Sequence, residues 1–218
     1  MKGSERDSTP GQRSLIAWAV REAIHKALHL LAAARQSSQA FLDSLALNYP
    51  RKALLAGVVV FVVTLATYAA IAPSALVNGD AAVYVQLISR RDFSQITVHT
   101  GYYALGVVFT SVLPMAKDHA INLMNCCFGA LTVLAAYLIA FSVSRARSAA
   151  VASAAFLATS YVFIYNSIYA EVYMPQIFFL FLALLLWLHN RAALSGLSFA
   201  MSILVSPTSV LAVPFFAL

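Results

Sequence analysis

The 218-residue chain is 61% hydrophobic and 10% charged, with a mean hydropathy of +0.81, far above the roughly 45–50% apolar usage of soluble domains. Its net charge of +6 includes no basic stripe interleaved with exposed aromatics, so it argues for orientation and anionic lipid and against nucleic acid. Several apolar runs approach the ~20 residues that cross a ~30 Å hydrocarbon core, and the expected class is all-α, multi-pass transmembrane.

Residues 1–11 are polar and read as disordered. From Ser14 to about Leu47 a helical pattern follows, interrupted by Arg21, Glu22, His25, Lys26 and His29 too densely for a span. Residues 1–50 therefore read as a cytoplasmic tail. Its amphipathic helix lies in the headgroup plane or packs as a soluble helix on a partner. No short apolar core with a small-residue cleavage site marks a signal peptide. Arg51 and Lys52 then abut the first span, 53–72, which ends at Pro73. Positive charge before a first span places the N-terminus in the cytoplasm. Asn78-Gly79-Asp80 reads as a turn into a helix over 81–90 with Asp80 as N-cap.

Residues 101–114 decide the topology. Fourteen residues rise only ~21 Å, short of a span. As an interfacial helix the segment leaves Arg145 and Arg147 cytoplasmic. Spans near 121–143, 149–169, 172–189 and 192–218 then follow, the last interrupted by Ser206-Pro207-Thr208 as a kinked helix or two short ones. Cys126 and Cys127 stand side by side in an apolar run and read as packing residues. The apolar stop at Phe215-Phe216-Ala217-Leu218 reads as the N-terminal part of something longer.

After residue 52 only four acidic residues remain, Asp80, Asp92, Asp118 and Glu171, and this topology puts all four on one side. The positive-inside bias constrains Lys and Arg and barely constrains carboxylates, so their one-sidedness suggests the floor of a site. Asp92 beside Arg90 and Arg91 reads as a local ion pair, and Asp118 between Lys117 and His119 as a polar turn. Tyr161, Tyr165, Tyr169 and Tyr173, spaced by four, read as an interfacial belt. Walker, Rossmann, Ser/His/Asp and metal-spaced Cys/His patterns are absent.

Four short strings carry a family likeness: Asn78-Gly79-Asp80-Ala81-Ala82-Val83-Tyr84, His99-Thr100-Gly101-Tyr102-Tyr103, Ala170-Glu171-Val172-Tyr173 and Ser206-Pro207-Thr208-Ser209. In order and spacing over 51–218 they resemble the opening of the membrane-embedded GT-C glycosyltransferases, in the protein O-mannosyltransferase-like and bacterial lipid-sugar branch. The string at His99 departs from the family's His-Pro-Pro pattern, and a lone Asp80 replaces an Asp-Glu pair. The resemblance implies two exoplasmic juxtamembrane helices, at 81–90 and 101–114. It also implies a polyprenyl-phosphate sugar donor and a lipid, glycan or protein acceptor.

Such a transfer has a good leaving group, so it needs a base for the acceptor's proton and cations for the departing phosphate. Asp80 is the expected base, or the ligand of a divalent metal ion, in addition to capping its helix. Glu171 is its expected partner, or else a solvated loop residue. Arg90, Arg91 and Lys117 are candidates for the donor phosphate, or for lipid headgroups. His99, Tyr102 and Tyr103 are candidate substrate contacts. The expected setting is a bacterial inner membrane with a periplasmic site, since no Asn-x-Ser/Thr site is present. A non-catalytic scaffold or incomplete fragment remains an alternative; a transporter fits less well, because the spans lack any Asp, Glu, Lys or Arg and no internal repeat is found.

Overall fold

A computed structural model describes residues 49–74, 80–91 and 98–216, together with Glu22, His25, Gln36 and Gln39, which are helical. Met1–Ser44 forms one compact unit and Leu45–Leu218 another. The expected interfacial helix of the tail, the Asn78-Gly79 turn and the Asp92 ion pair lie outside the described residues.

Every regular element among the described residues is helical. Helix α1, Arg51–Ile71, is apolar all round, yet its buried residues are only Ala53, Gly57, Thr64 and Tyr68. That spacing is one narrow stripe; Leu55, Val58, Val62 and Val63 face outward and are more than half exposed. A helix that stays apolar where it is exposed needs lipid around it. Pro73 stops it by forcing Ala72 into the extended region (ψ 133°).

Two short helices follow, α2 (Asp80–Arg90) and α3 (Thr100–Val112), then the long α4 (Lys117–Ser144). Helix α4 is the axis, with buried positions on all sides from Ala120 to Phe141. Helix α1 docks on it through Gly57, where an added Cβ would come within 3.1 Å of the Tyr137 ring. Tyr137 in turn donates to Ala53 O at 2.9 Å.

The expected single span over 149–169 is divided. Helix α5 (Arg147–Thr159) and α6 (Tyr161–Ile168) meet at 65°, with Ser160 in an extended conformation (ψ 126°). Thr159 Oγ1 bonds back to Ala155 O at 2.8 Å, a side-chain bond that competes with the helical ladder and bends it.

Helices α7 (Tyr173–Leu188) and α8 (Ala192–Val205) are zipped by serines. Ser195 donates to Ala183 O, Ser198 to Phe179 O and Ser202 to Gln176 O, all at 2.8–2.9 Å. Small hydroxyl residues let helices approach closely where no water competes. The stretch 192–218 is divided where Ser206-Pro207-Thr208 suggests, into two short pieces. Ser206 before Pro207 is extended, and a 3-10 turn over Pro207–Ala212 leads to the short α9, Val213–Phe216. Gln176 Nε2 holds that break through Thr208 Oγ1 and Ser209 Oγ at 2.8 and 3.0 Å.

Among the described residues two helices, α1 and α4, are long and apolar enough to cross a membrane, or three spans if α5–α6 counts as one. At 16 and 14 residues, α7 and α8 are shorter than the ~20 expected of a span. The bundle nevertheless has two chemically distinct ends. At the basic end Tyr49 Oη meets Leu138 O, Ser142 Oγ and His189 Nε2. At the other, Asn122 Nδ2 bonds Pro73 O at 3.0 Å and Asn125 Nδ2 bonds Tyr169 O and Glu171 O. Between Asn125 and Ser142, α4 rises about 26 Å, close to the thickness of a hydrocarbon core.

Candidate functional site

The acidic end is assembled by α2, α3 and the α6–α7 connection. As described, helix α2 opens at Asp80, which stands in its first turn. A carboxylate there is favoured by the helix dipole. One turn on, Tyr84 stands on the same face. Its ring lies 5.4, 5.9 and 6.0 Å from those of Tyr102, Tyr103 and His99. Burial pushes the Tyr84 hydroxyl up to about 12, and the charges of Asp80 and Glu171 add to that, with Tyr103 and Tyr173 beside it.

Glu171 arrives from a different part of the chain. Ala170 and Val172 on either side are buried. Asn125 Nδ2 pins the backbone by bonding Glu171 O at 2.7 Å and also Tyr169 O. The carboxyl of Glu171 is held above its ordinary range, first by burial and second by the charge of Asp80. Asp80 and Glu171, separated by 91 positions in sequence, therefore share one electrostatic environment.

That shift has a sign that can be measured. A carboxyl whose folded pKa is raised contributes stability below its unfolded value of about 4.5 and loses it as pH rises through the folded pKa. Replacing Glu171 by Gln removes the ionised, half-buried group. The variant should melt above wild type near pH 7.5, and the gap should close on acidification to about pH 4.5. Thermal unfolding in detergent across that range checks it; a gap independent of pH would contradict the shift.

The aromatic helix α3 is fixed at its start. His99, in the left-handed region (φ 68°), donates from Nδ1 to Val205 O at 2.8 Å. Gly101 lies against the Leu204–Val205 backbone. His99 and Gly101 are thus a joint between α3 and the end of α8, and Tyr102 and Tyr103 follow it on α3. The Tyr102 ring is fully buried, and its hydroxyl and Asn125 Oδ1 both lack a hydrogen-bond partner in the described residues. Burial drives the Tyr102 hydroxyl well above its usual value, Glu171 adds to the rise, and Asn125 beside it partly offsets it.

The three cations gather elsewhere. Arg90 and Arg91 are at the far end of α2, about 15 Å from Asp80 along the helix. Lys117 Nζ donates to Ser89 O at 3.0 Å, and Arg91 Nη2 to Ser111 Oγ at 3.4 Å. All three side chains are exposed, and Lys117 compensates a helix C-terminus. Asp118 Oδ1 accepts from the His119 amide, the local turn that its sequence suggests.

Tyr161, Tyr165 and Tyr169 form a chain of rings, at 6.4 and 4.6 Å, with Tyr161 and Tyr165 outward-facing. Tyr173 opens α7 and lies near Tyr84. Two residues that sequence reading passes over belong here. Tyr84 was signalled by its four-residue offset from Asp80, and Asn125 by being an amide within an apolar run, where polar groups need a partner.

No group of three or more His, Cys, Asp or Glu side chains among the described residues is arranged to hold a metal ion. Asp80 and Glu171 supply two carboxylates with no cation opposing them in the shift of Glu171. Compared with known proteins, the chain matches no family model, no curated protein and no solved structure.

Proposed function

We propose that the chain is a membrane glycosyltransferase of the GT-C type, or its N-terminal part, moving a sugar from a polyprenyl-phosphate donor to an acceptor at the acidic end. The observation that supports this reading best is the pairing of Asp80 and Glu171 beside Tyr84, Tyr102 and Tyr103 at one end of a ~26 Å helical slab. Carboxylates are costly near hydrocarbon and are kept there for chemistry.

Asp80, exposed at the head of α2, takes the proton of the acceptor hydroxyl as its oxygen attacks the anomeric carbon. The bond from that carbon to the phosphate oxygen breaks, and polyprenyl phosphate leaves; attack from the opposite face inverts the sugar. Glu171, with its raised affinity for a proton, stays close as an acceptor of hydrogen bonds from substrate hydroxyls and from Asp80 once it is protonated. Tyr84 offers an aromatic edge and a hydroxyl that stays protonated. The exposed Arg90, Arg91 and Lys117 attract the donor phosphate to this face. A divalent ion would be held by Asp80 and Glu171, the one or two carboxylates that such ions use alongside substrate phosphate, and would neutralise charge on the phosphate.

The ~15 Å between the cations and Asp80 favours a second reading, a non-catalytic membrane scaffold whose cations anchor headgroups. Incubation of the protein, reconstituted in vesicles, with labelled polyprenyl-phosphate hexoses separates the two. Label passing to an added acceptor supports transfer; label staying on the lipid with every donor supports the scaffold.

A further inference from the structure

The remaining large feature of the bundle is on its lipid-facing side, away from the carboxylates. Between α1 and α5 runs a groove of about 350 Å³. Val59 and Val63 form one wall and Val151 and Ala155 the other, with only Thr64, Thr67, Thr159 and the Tyr68 hydroxyl to break the apolar lining. Those polar groups are already satisfied or turned inward. Thr67 and Thr159 bond their own helices, and Tyr68 donates to Ala158 O at 2.8 Å.

Toward the basic end the groove continues into an open mouth lined by Ala56, Arg147 and Ser148, with Val151 common to both parts. Arg147 and Ser148 are exposed. They begin α5, whose cap residue Ala146 supplies no side-chain acceptor, so first-turn amides remain open to an outside anion. Arg51 and Lys52 start α1 one turn before Ala56, and residues 49–74 and 119–170 contain no Asp or Glu. The mouth is therefore cationic without an acidic partner on α1 or α5.

Length fixes the occupant's kind. From Ser148 to Thr159 α5 rises about 17 Å, half of the ~30 Å hydrocarbon core, so the groove is one leaflet deep. The α5–α6 bend ends it there. A transmembrane helix would run past that bend, beyond the end of the groove.

We propose that the α1–α5 groove binds one anionic phospholipid of the leaflet at the basic end, with its phosphate on Arg147 and the start of α5 and one acyl chain between Val63 and Ala155. The site is independent of the transfer reading: it sits at the opposite end from Asp80 and holds whether or not the chain is catalytic.

Native mass spectrometry of the full chain, released from detergent after titration with phosphatidylglycerol or with phosphatidylcholine of the same acyl chains, tests it. Wild type should retain phosphatidylglycerol preferentially, and inorganic phosphate alone should not compete. R147Q should cut phosphatidylglycerol retention about fivefold, the worth of one basic residue near an anionic headgroup, and leave phosphatidylcholine unchanged. A155F, which fills the groove, should reduce both lipids. If A155F does not fold, V63F on the more exposed opposite wall gives the same readout. Equal retention of the two lipids by wild type, competition by phosphate, or undiminished binding to a folded groove-filling variant overturns the site. Disulfide crosslinking of V151C between two copies would give the groove to a partner helix and overturn it as well.

Discussion

Asp80→Asn should lower sugar transfer by about 10²–10⁴-fold, the usual contribution of a positioned general base, while expression and thermal stability stay near wild type. The separation of the two readouts follows from where the residue stands. Asp80 is exposed in the first turn of α2, so its packing contribution is small. Its favourable interaction with the helix dipole is worth only about 0.3–1 kcal/mol, and Asn still supplies a side-chain acceptor for a first-turn amide. What Asn cannot do is accept a proton. The substitution also removes the charge that helps raise Glu171, so the melting gap between wild type and Glu171→Gln at neutral pH should narrow in the Asp80→Asn background. Transfer assayed with a labelled donor, beside melting curves of the single and double variants, checks both. Undiminished transfer by Asp80→Asn would remove it as the base, and unchanged coupling would separate the two carboxylates.

Why these two groups could be paired from sequence, and others could not, comes down to period and range. Apolar runs located α1, α3, α4 and α7 to within a few residues, because a helix facing hydrocarbon stays apolar along its length, and the Asn78-Gly79-Asp80 turn signal located α2. Residues 101–114 are too short to cross by their rise per residue, and crossing would move Arg145 and Arg147 to the other side. In the structure α3 begins against Val205 and leads into Lys117 beside Ser89. The break at Ser206-Pro207-Thr208 was legible from its proline, but the division of 149–169 was hidden for a different reason. Ser160 does not disturb hydropathy, and the Thr159 back-bond acts through a hydrogen bond, which a hydropathy profile does not register. Asn125 was hidden likewise: its role depends on carbonyls 44 and 46 residues away.

Long-range geometry also explains the distance between Asp80 and the cations. Arg90 and Lys117 looked like neighbours of the site when only sidedness was known. An 11-residue helix with the acid at its first position and the arginine at its last separates them by its own length. The ends of that helix then differ in what they attract. Its N-terminal turn, with the carboxylate, faces the aromatic cluster; its C-terminal turn, with Arg90, Arg91 and Lys117, is a cationic edge.

Gly101→Ala should destabilise the protein and slow transfer together, whereas Gly196→Ala should do neither. Both glycines are helical, and as free helices both would gain from alanine by about 1 kcal/mol. They differ in what a methyl group meets. At Gly101 it would lie 2.9 Å from Leu204 C and Val205 N, and backbone atoms cannot rotate away as a side chain does. Helix α3 must back off, stretching the His99 Nδ1 contact with Val205 O and carrying Tyr102 and Tyr103 with it. Overpacking of this kind costs about 1–3 kcal/mol, or several degrees in melting temperature for a protein of this size. At Gly196 nothing lies within 4 Å, so only the propensity gain remains and the melting temperature should hold or rise. Transfer should fall in Gly101→Ala even below its melting range, because the tyrosines flanking Tyr84 move with the helix. Melting curves and transfer rates for the pair are the measurement. Equal melting of the two variants would mean that α3 and α8 do not pack backbone to backbone at Gly101.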